Sequence, residues 1–334
     1  MGIGVVRPDG PPIRWGILSP ARIGHRLVEG AAKTDTAEIV AVASRDAARA
    51  QAFAAVHGLA RAHGSYEALL ADPEVDAVYV PLPNSLHVEW TKRALEAGKH
   101  VLCEKPMDRR PAQVERAFDV AEKHGLILSE AFMWRHNPQT ARLRELLDDG
   151  AIGEVRLVRA AFSFLLDRQV DVRLDPALHG GALMDVGCYA VSGARFVAGA
   201  EPLRATAEVV TGPTGVDLRL TGMLRFEGDV VATIDCGLDL VARSELEISG
   251  TEGRILLRDP WHCIDPRIVV ERGYEREGVE IPPADSYALE LADMAAAIGG
   301  ERAPLLGRTD AVGQARVIQA LYRSAREGYA APVG

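Results

Sequence analysis

Between Ile13 and Phe132 short apolar runs alternate with longer amphipathic stretches, and this alternation constrains the fold more than any other feature of the chain. Ile13–Leu18, Glu38–Ala43, Ala77–Val80 and His100–Cys103 read as strands. Ala21–Lys33, Asp46–Val56, His87–Ala97 and Pro111–His124 read as helices, with Asp46 placed as an N-cap and Gly98 ending the third helix. A strand that is followed by a helix before the next strand returns parallel to its predecessor. Repetition of that step builds a doubly wound α/β sheet covered by helices on both faces. In such a sheet ligands sit outside the C-terminal ends of the strands, so the residues just after each run matter most.

The pattern changes after about Gly153. Glu154–Phe164, Arg204–Val210, Leu218–Phe226, Val230–Asp235, Leu246–Ser249, Arg254–Leu257, Ile268–Glu271 and Val279–Ile281 are strand-like. Turn sequences at Glu227-Gly228-Asp229 and Gly250-Thr251-Glu252-Gly253 join neighbours as hairpins, so this half is expected to be α+β with a mostly antiparallel sheet. Tyr287, Leu291, Met294 and Ile298 share one helical face, and Thr309 can cap a last helix running to about Glu327. A chain of 334 residues suits two domains. The expected organisation is a flexible tail at 1–12, a Rossmann-like domain at 13–135, and an α+β domain at 136–334.

Lys plus Arg number 38 against 47 Asp plus Glu, a net charge of −9. That argues against binding nucleic acid or an anionic membrane, since phosphate contacts need a basic surface. It leaves room for a small anion held by local charges. The N-terminus lacks a basic region followed by an apolar stretch, and no run reaches the ~20 apolar residues of a membrane helix, so a cytoplasmic location is expected. Cys103, Cys188, Cys236 and Cys263 are far apart and form no Cys-x-x-Cys pair, which points to buried free thiols and no metal site.

In a dinucleotide-binding turn, glycines let the backbone approach the pyrophosphate at a helix N-terminus. Here the G-x-G-x-x-G frame falls on Ser19-Pro20-Ala21-Arg22-Ile23-Gly24, with only its third glycine present. An ordinary strand-to-helix turn fits as well. After the second strand come Ser44, Arg45 and Asp46. An acid in this region suits the ribose 2′-hydroxyl of NAD, whereas Arg45 offers a fork to the 2′-phosphate of NADP. Asp46 is better explained as the helix cap, which favours NADP with NAD possible. Arg45 as a plain surface residue beside a cap is the alternative.

Glu104-Lys105-Pro106 follows the strand ending at Cys103, so it faces the ligand crevice. The second candidate site is Gly180-Gly181-Ala182-Leu183-Met184-Asp185-Val186-Gly187-Cys188-Tyr189. Asp185 and Tyr189 are one helical turn apart and share a face. The two glycines ahead of them would let the backbone approach a ligand. A buried tyrosine hydrogen-bonded to a helix aspartate is the alternative.

Taken together these residues resemble the glucose–fructose oxidoreductase, inositol dehydrogenase and rhizopine-catabolism oxidoreductase family, over nearly the whole chain. The resemblance rests on the Rossmann start, Val80-Pro81-Leu82-Pro83-Asn84-Ser85-Leu86-His87, and Ala97 through Pro106 with its Glu-Lys-Pro. It continues through Glu130-Ala131-Phe132-Met133-Trp134-Arg135, the Gly181–Tyr189 segment and the Ser249–Gly253 turn. It implies a nicotinamide cofactor held by Ser19, Ala21, Arg22, Ile23, Ser44, Arg45, Pro81, Leu82, Asn84, His87, Glu104, Lys105, Trp134 and Arg135. It also implies a large open C-terminal sheet whose far face often forms a homodimer or a dimer of dimers, and a cis Lys105–Pro106 bond. The inositol-dehydrogenase branch has a histidine at the position of Tyr189. A tyrosine there is similar to the branch of dihydrodiol dehydrogenase, D-xylose dehydrogenase and nucleotide-sugar ketoreductases. Relatives often carry three glycines where this chain has His179-Gly180-Gly181, so His179 either reshapes the substrate pocket or merely sits on a loop.

The expected activity is hydride transfer between NADP(H) and a carbon of a sugar or polyol, with Tyr189 as general acid/base. Free Tyr and Lys titrate near ~10 and ~10.4, so a neighbouring ammonium is expected to lower the Tyr189 pKa. Lys105 would orient the substrate oxygen, and Asp185 would hold a sugar hydroxyl or Lys105, with His179 also lining the substrate pocket. The rival readings are a glycosidase that retains NAD and a non-catalytic dinucleotide sensor. Bound NAD with no net NADPH formation would mark the first; retention of Lys105, Asp185 and Tyr189 together argues against the second.

Overall fold

The computed structural model describes residues 11–168 and 170–334, so the tail expected at 1–12 lies outside the described residues except for its last two. The first half builds a parallel sheet from β1 (Ile13–Leu18), β2 (Ala37–Ala43), β3 (Arg61–His63), β4 (Ala77–Val80), β5 (His100–Glu104) and β6 (Leu128–Ala131) in the order β3-β2-β1-β4-β5-β6. Its connections carry α1 (Arg22–Ala31), α2 (Ala47–His57), α3 (Tyr66–Leu70), α4 (His87–Glu96) and α5 (Pro111–His124). The run Ala77–Val80 is buried at every residue, as a strand covered on both faces requires. Asp46 caps α2, its carboxylate accepting from the amides of Ala48 and Arg49. The order reverses between β1 and β4, which opens a crevice at their C-terminal ends beside Ser19 and Pro81.

α6 (Pro138–Asp148) leads into the second half. Its sheet comprises β7 (Val155–Leu165), β8 (Arg204–Thr211), β9 (Asp217–Arg225), β10 (Val231–Gly237), β11 (Asp239–Gly250), β12 (Arg254–Leu257), β13 (Ile268–Arg272), β14 (Glu275–Val279) and β15 (Ala331–Pro332). The order is β14-β13-β12-β11-β7-β10-β9-β8-β15, antiparallel throughout except for β10 against β7. Between β7 and β8 the chain crosses one face of the sheet as a widened π-type turn, Leu183–Gly187, that runs directly into α7 (Cys188–Ala198).

Two helices return to the first half. α8 (Ser286–Ile298) lies so close to α1 that a Cβ on Gly30 would sit 2.7 Å from Cβ of Tyr287, and Lys33 pairs with its capping Asp285 at 2.6 Å. α9 (Arg308–Glu327) is anchored to α5 by Arg308, which fans onto Glu115, Asp119 and Glu122. Two expectations shift here. The N-cap of α9 is Gly307, with no side-chain cap, and Thr309 lies inside the helix. The strand expected at Val279–Ile281 lies earlier, at Glu275–Val279. All four cysteines are buried as free thiols. Among the described residues no helix is long and apolar enough to cross a membrane.

Candidate active site

β1 ends in a turn built for close approach. Ser19, on the first glycine position of the frame, adopts φ +118°, a region that favours glycine. The next element, α1, has Ala21 at its N-cap and no side-chain cap; the Gly24 amide bonds the Ala21 oxygen, which leaves the amides of Arg22 and Ile23 open to a ligand. An anion at that end would satisfy them and meet the positive end of the helix dipole. A Cβ on Gly24 would sit 3.4 Å from the Phe53 ring, so α1 lies close to its neighbour α2. At the end of β2, Ser44 is buried and accepts from the amide of Asp46, while Arg45 is exposed and makes no ion pair among the described residues. Arg22 is likewise exposed and unpaired there. The donor set therefore fits a phosphorylated dinucleotide laid across this end of the sheet.

The loop after β4 is held from behind. Asn84 donates to the backbone oxygen of His179 at 2.9 Å and so ties the crevice to the loop before the π-type turn. His87 is buried, and its ring nitrogens lie 2.6 Å from the Leu82 oxygen and 3.0 Å from the Pro106 oxygen. Burial lowers its pKa to about 4. His87 thus clamps two loops together and presents no free edge to a cofactor, in contrast to the contact expected of it. Pro81 and Leu82 are buried in the same loop, whose backbone flanks the crevice.

The Lys105–Pro106 peptide is cis. The Glu104 carboxyl turns into the interior, accepting from the Tyr79 hydroxyl and from the Lys105 amide, and burial raises its pKa. Glu104 is therefore occupied in shaping the turn, and Lys105 is the member of the pair that reaches out. Its ammonium donates to the backbone oxygen of Asp185 at 2.7 Å and lies 4.7 Å from the centre of the Tyr189 ring. Burial works to lower its pKa, but Cys188, Asp185 and Glu104 outweigh it, and the net direction is up. Lys105 stays a cation.

The carboxylate of Asp185 is taken by a residue the sequence reading did not single out. Arg173 donates to it from Nε at 2.6 Å and also pairs with Asp171. Of the two partners expected of Asp185, a sugar hydroxyl or Lys105, it holds Lys105, through its backbone oxygen. Tyr189 is 8 % exposed, edge-on to Phe132 and Phe162, and its hydroxyl donates to Met133 Sδ at 3.6 Å. A thioether is a weak acceptor, so that hydrogen is available to a better one. Burial holds the Tyr189 phenol well above its usual pKa, so the lowering expected from the nearby ammonium does not prevail.

The glycines ahead of this segment serve internal contacts. A Cβ on Gly180 would meet the Arg173 oxygen at 2.4 Å, and one on Gly181 would meet Asp217 Oδ1 at 2.0 Å. They were expected to admit a ligand. His179 has φ +55°, and its Nδ1 has no partner among the described residues. Trp134 and Arg135 are carried into the second half's core. Trp134 packs edge-on to Phe196 and Trp261, and Arg135 stacks over Phe196 and donates to Asp310.

Residues 13–132 match the model of an oxidoreductase family with an NAD-binding Rossmann fold, and residues 140–256 match the GFO/IDH/MocA C-terminal domain. The chain belongs to the GFO/IDH/MocA family. Among its relatives, D-xylose 1-dehydrogenase (NADP(+)) 2 of Haloferax volcanii is 40 % identical, over 95 % of this chain and 98 % of that one. A dTDP-3,4-didehydro-2,6-dideoxy-alpha-D-glucose 3-reductase of Actinomadura kijaniata is 35 % identical over 95 % and 97 %. The solved structure of KijD10, a 3-ketoreductase from Actinomadura kijaniata in complex with NADP and TDP-benzene, superposes with a TM-score of 0.89 at 34 % identity, covering 94 % of this chain and 98 % of that one. KijD10 has also been solved with one tyrosine changed to phenylalanine and with one lysine changed to alanine. Those two positions are as far apart in its sequence as Lys105 and Tyr189 are in this GFO/IDH/MocA chain.

Proposed function

We propose that this protein is an NADP(H)-dependent oxidoreductase that moves a hydride between nicotinamide and a CH–OH carbon of a sugar or related polyol, as an aldose dehydrogenase or a ketosugar reductase. The observation that carries the reading is the Lys105 ammonium set against the Tyr189 ring beside the crevice. Residues 13–135 hold the cofactor and 136–334 the substrate. The α1 N-terminus with Ser19, Ala21, Arg22 and Ile23 receives the pyrophosphate, and Ser44 and Arg45 the 2′-phosphate. When bound, the nicotinamide supplies or takes up the hydride.

The chain's own residues handle the proton and the geometry. Lys105 donates to the substrate oxygen and stabilises negative charge that develops there. Tyr189, neutral because it is buried, gives its phenolic proton to that oxygen in reduction and takes it back in oxidation. The aromatic wall of Phe132 and Phe162 around Tyr189 excludes water from the transfer. Arg173 fixes Asp185, whose carboxylate retains an acceptor edge for a sugar hydroxyl. The relatives that act on D-xylose and on dTDP-linked ketosugars support the substrate class.

For assembly we keep the homodimer through the large sheet that the family resemblance implies; Met223 is exposed on that sheet. Buried free thiols suit the cytoplasm. The test is a screen of NADP⁺ and NAD⁺ reduction across aldoses, inositols and dihydrodiols, with NADPH oxidation measured on dTDP-linked 3-ketosugars. Turnover with NADP(H) on a sugar is the expected result. Purified protein that retains NAD and forms no net NADPH would overturn the reading in favour of a glycosidase.

A further inference from the structure

The segment that carries Asp185 and Tyr189 lacks a cap of its own. The π-type turn Leu183–Gly187 is preceded by Ala182, which offers no side-chain acceptor, and α7 continues from it through Gly187 without a cap. Its first amides still have a partner. Asp217, at the start of β9, accepts from the Leu183 amide through Oδ2 at 2.7 Å. The other oxygen, Oδ1, accepts from the Tyr322 hydroxyl of α9 at 2.9 Å. Asp217 is 6 % exposed, so neither bond competes with bulk water.

Gly181 shows how closely this arrangement is built. Its φ of +119° turns the backbone under the Asp217 carboxylate, whose Oδ1 occupies the space a side chain on Gly181 would need. The oxygen of Gly181 then accepts from the Asp185 amide at 3.0 Å. One carboxylate therefore fixes the start of a turn whose next residues present the Asp185 oxygen to Lys105 and the Tyr189 ring to its ammonium. Widened helical turns of this kind are held in place by their surroundings more than by propensity.

We infer that Asp217 is a positioning residue for the reaction: it caps the helical segment bearing Asp185 and Tyr189 from a neighbouring strand and so sets Tyr189 against Lys105. Tyr322, behind it, fixes the carboxylate's orientation. The inference rests on the roles proposed above for Tyr189 and Lys105. It adds a determinant that touches neither substrate nor cofactor. Misplacing a reacting group by about 1 Å costs on the order of a hundredfold in rate, and a frayed first turn permits a shift of that size.

The test compares Asp217→Ala, Asp217→Asn, Tyr322→Phe and Tyr189→Phe in the full chain. D-xylose with NADP⁺ is the first probe, followed by whichever sugar of the screen turns over fastest. For Asp217→Ala, kcat should fall by roughly ten- to a hundredfold with the NADPH dissociation constant within about twofold of the parent. Asp217→Asn keeps an oxygen for the Leu183 amide and should restore kcat to within about fivefold, a rescue that a loss of charge alone would not give. Tyr322→Phe leaves the cap in place but unbraced, and should lower kcat about threefold at unchanged NADPH affinity. Amide hydrogen exchange at 183–187 should quicken in the alanine variant. A folded Asp217→Ala with parental kcat, or an asparagine variant as slow as the alanine one, overturns the inference. If Asp217→Ala does not fold, an unchanged kcat in Tyr322→Phe overturns it. Full activity in Tyr189→Phe would instead count against the role of Tyr189 itself.

Discussion

The ammonium of Lys105 lies 4.7 Å from the centre of the Tyr189 ring, over its face and not at its hydroxyl. The two groups come from opposite halves of the chain, one at the end of β5 and the other at the second residue of α7. This placement divides their work. The cation donates to the Asp185 oxygen and, in the proposed mechanism, to the substrate as well, while burial raises the phenol and keeps it protonated. A phenol held neutral has a proton to give, which is the role proposed for it in reduction.

Replacing Lys105 with Met retains the length of the side chain and removes its charge. Turnover should fall by at least about a hundredfold, because the oxygen on which charge develops loses its nearest cation. A fluorescence titration with NADPH should still give a dissociation constant within about threefold of the parent, since the Lys105 hydrogen bond seen here goes to Asp185.

Arg45 is exposed beside the end of β2 and has no carboxylate partner among the described residues. Arg45→Ala should raise the NADP KM by about tenfold or more through the loss of a charge-assisted contact to the 2′-phosphate, and leave the NAD KM nearly unchanged. Steady-state kinetics with both cofactors decide the point. Equal effects on the two would remove Arg45 from the 2′-phosphate site.

Much of the fold could be read from periodicity alone, and the exceptions have physical causes. β14 carries Glu275, Arg276 and Glu277 on an exposed edge, so it shows no apolar alternation and the strand is displaced from its expected place at Val279. β3 and α3 are too short to establish a period. The last helix starts at Arg308, directly after the uncapped Gly307 and the buried Leu306, so Thr309 falls inside the helix and cannot cap it. At the site, Lys105, Asp185 and Tyr189 were legible because they follow a strand or share a helical face. Arg173 and Asp217 were not, because each reaches its partner across a loop or a neighbouring strand. The glycines at 180 and 181 gave a true signal of close approach, but what approaches is the Arg173 oxygen and the Asp217 carboxylate.

Glu130 makes stability depend on pH. Its carboxyl is buried on β6, accepts one hydrogen bond from the Met107 amide, and is pushed up to about 8 from the 4.5 of an exposed glutamate. Folding therefore takes up a proton between those values. The contribution is fully present below about pH 4.5 and is lost as pH rises through about 8. Glu130→Gln removes this dependence. Its melting temperature relative to the parent should climb by a few degrees between pH 5 and pH 8 in differential scanning calorimetry. A constant difference across that range would contradict the assignment.

The contact between the halves at Gly30 is tight enough to test by a single methyl group. Gly30→Ala would place its Cβ 2.7 Å from Cβ of Tyr287 and 2.9 Å from the Ala288 amide nitrogen. Backbone must move to admit it, because neither atom is the end of a flexible chain. A loss of about 1–3 kcal/mol in stability is expected, measured by denaturant unfolding, despite the better helix propensity of alanine.

In the proposed mechanism Tyr189 carries the proton while the cofactor is held elsewhere. Tyr189→Phe keeps the ring against Lys105, Phe132 and Phe162 and removes only the hydroxyl. The most direct measurement is kcat of this variant on the best sugar of the screen, taken beside its NADPH dissociation constant. A fall in kcat of about a hundredfold or more is expected, with NADPH affinity unchanged within about twofold. Turnover close to that of the parent would contradict it.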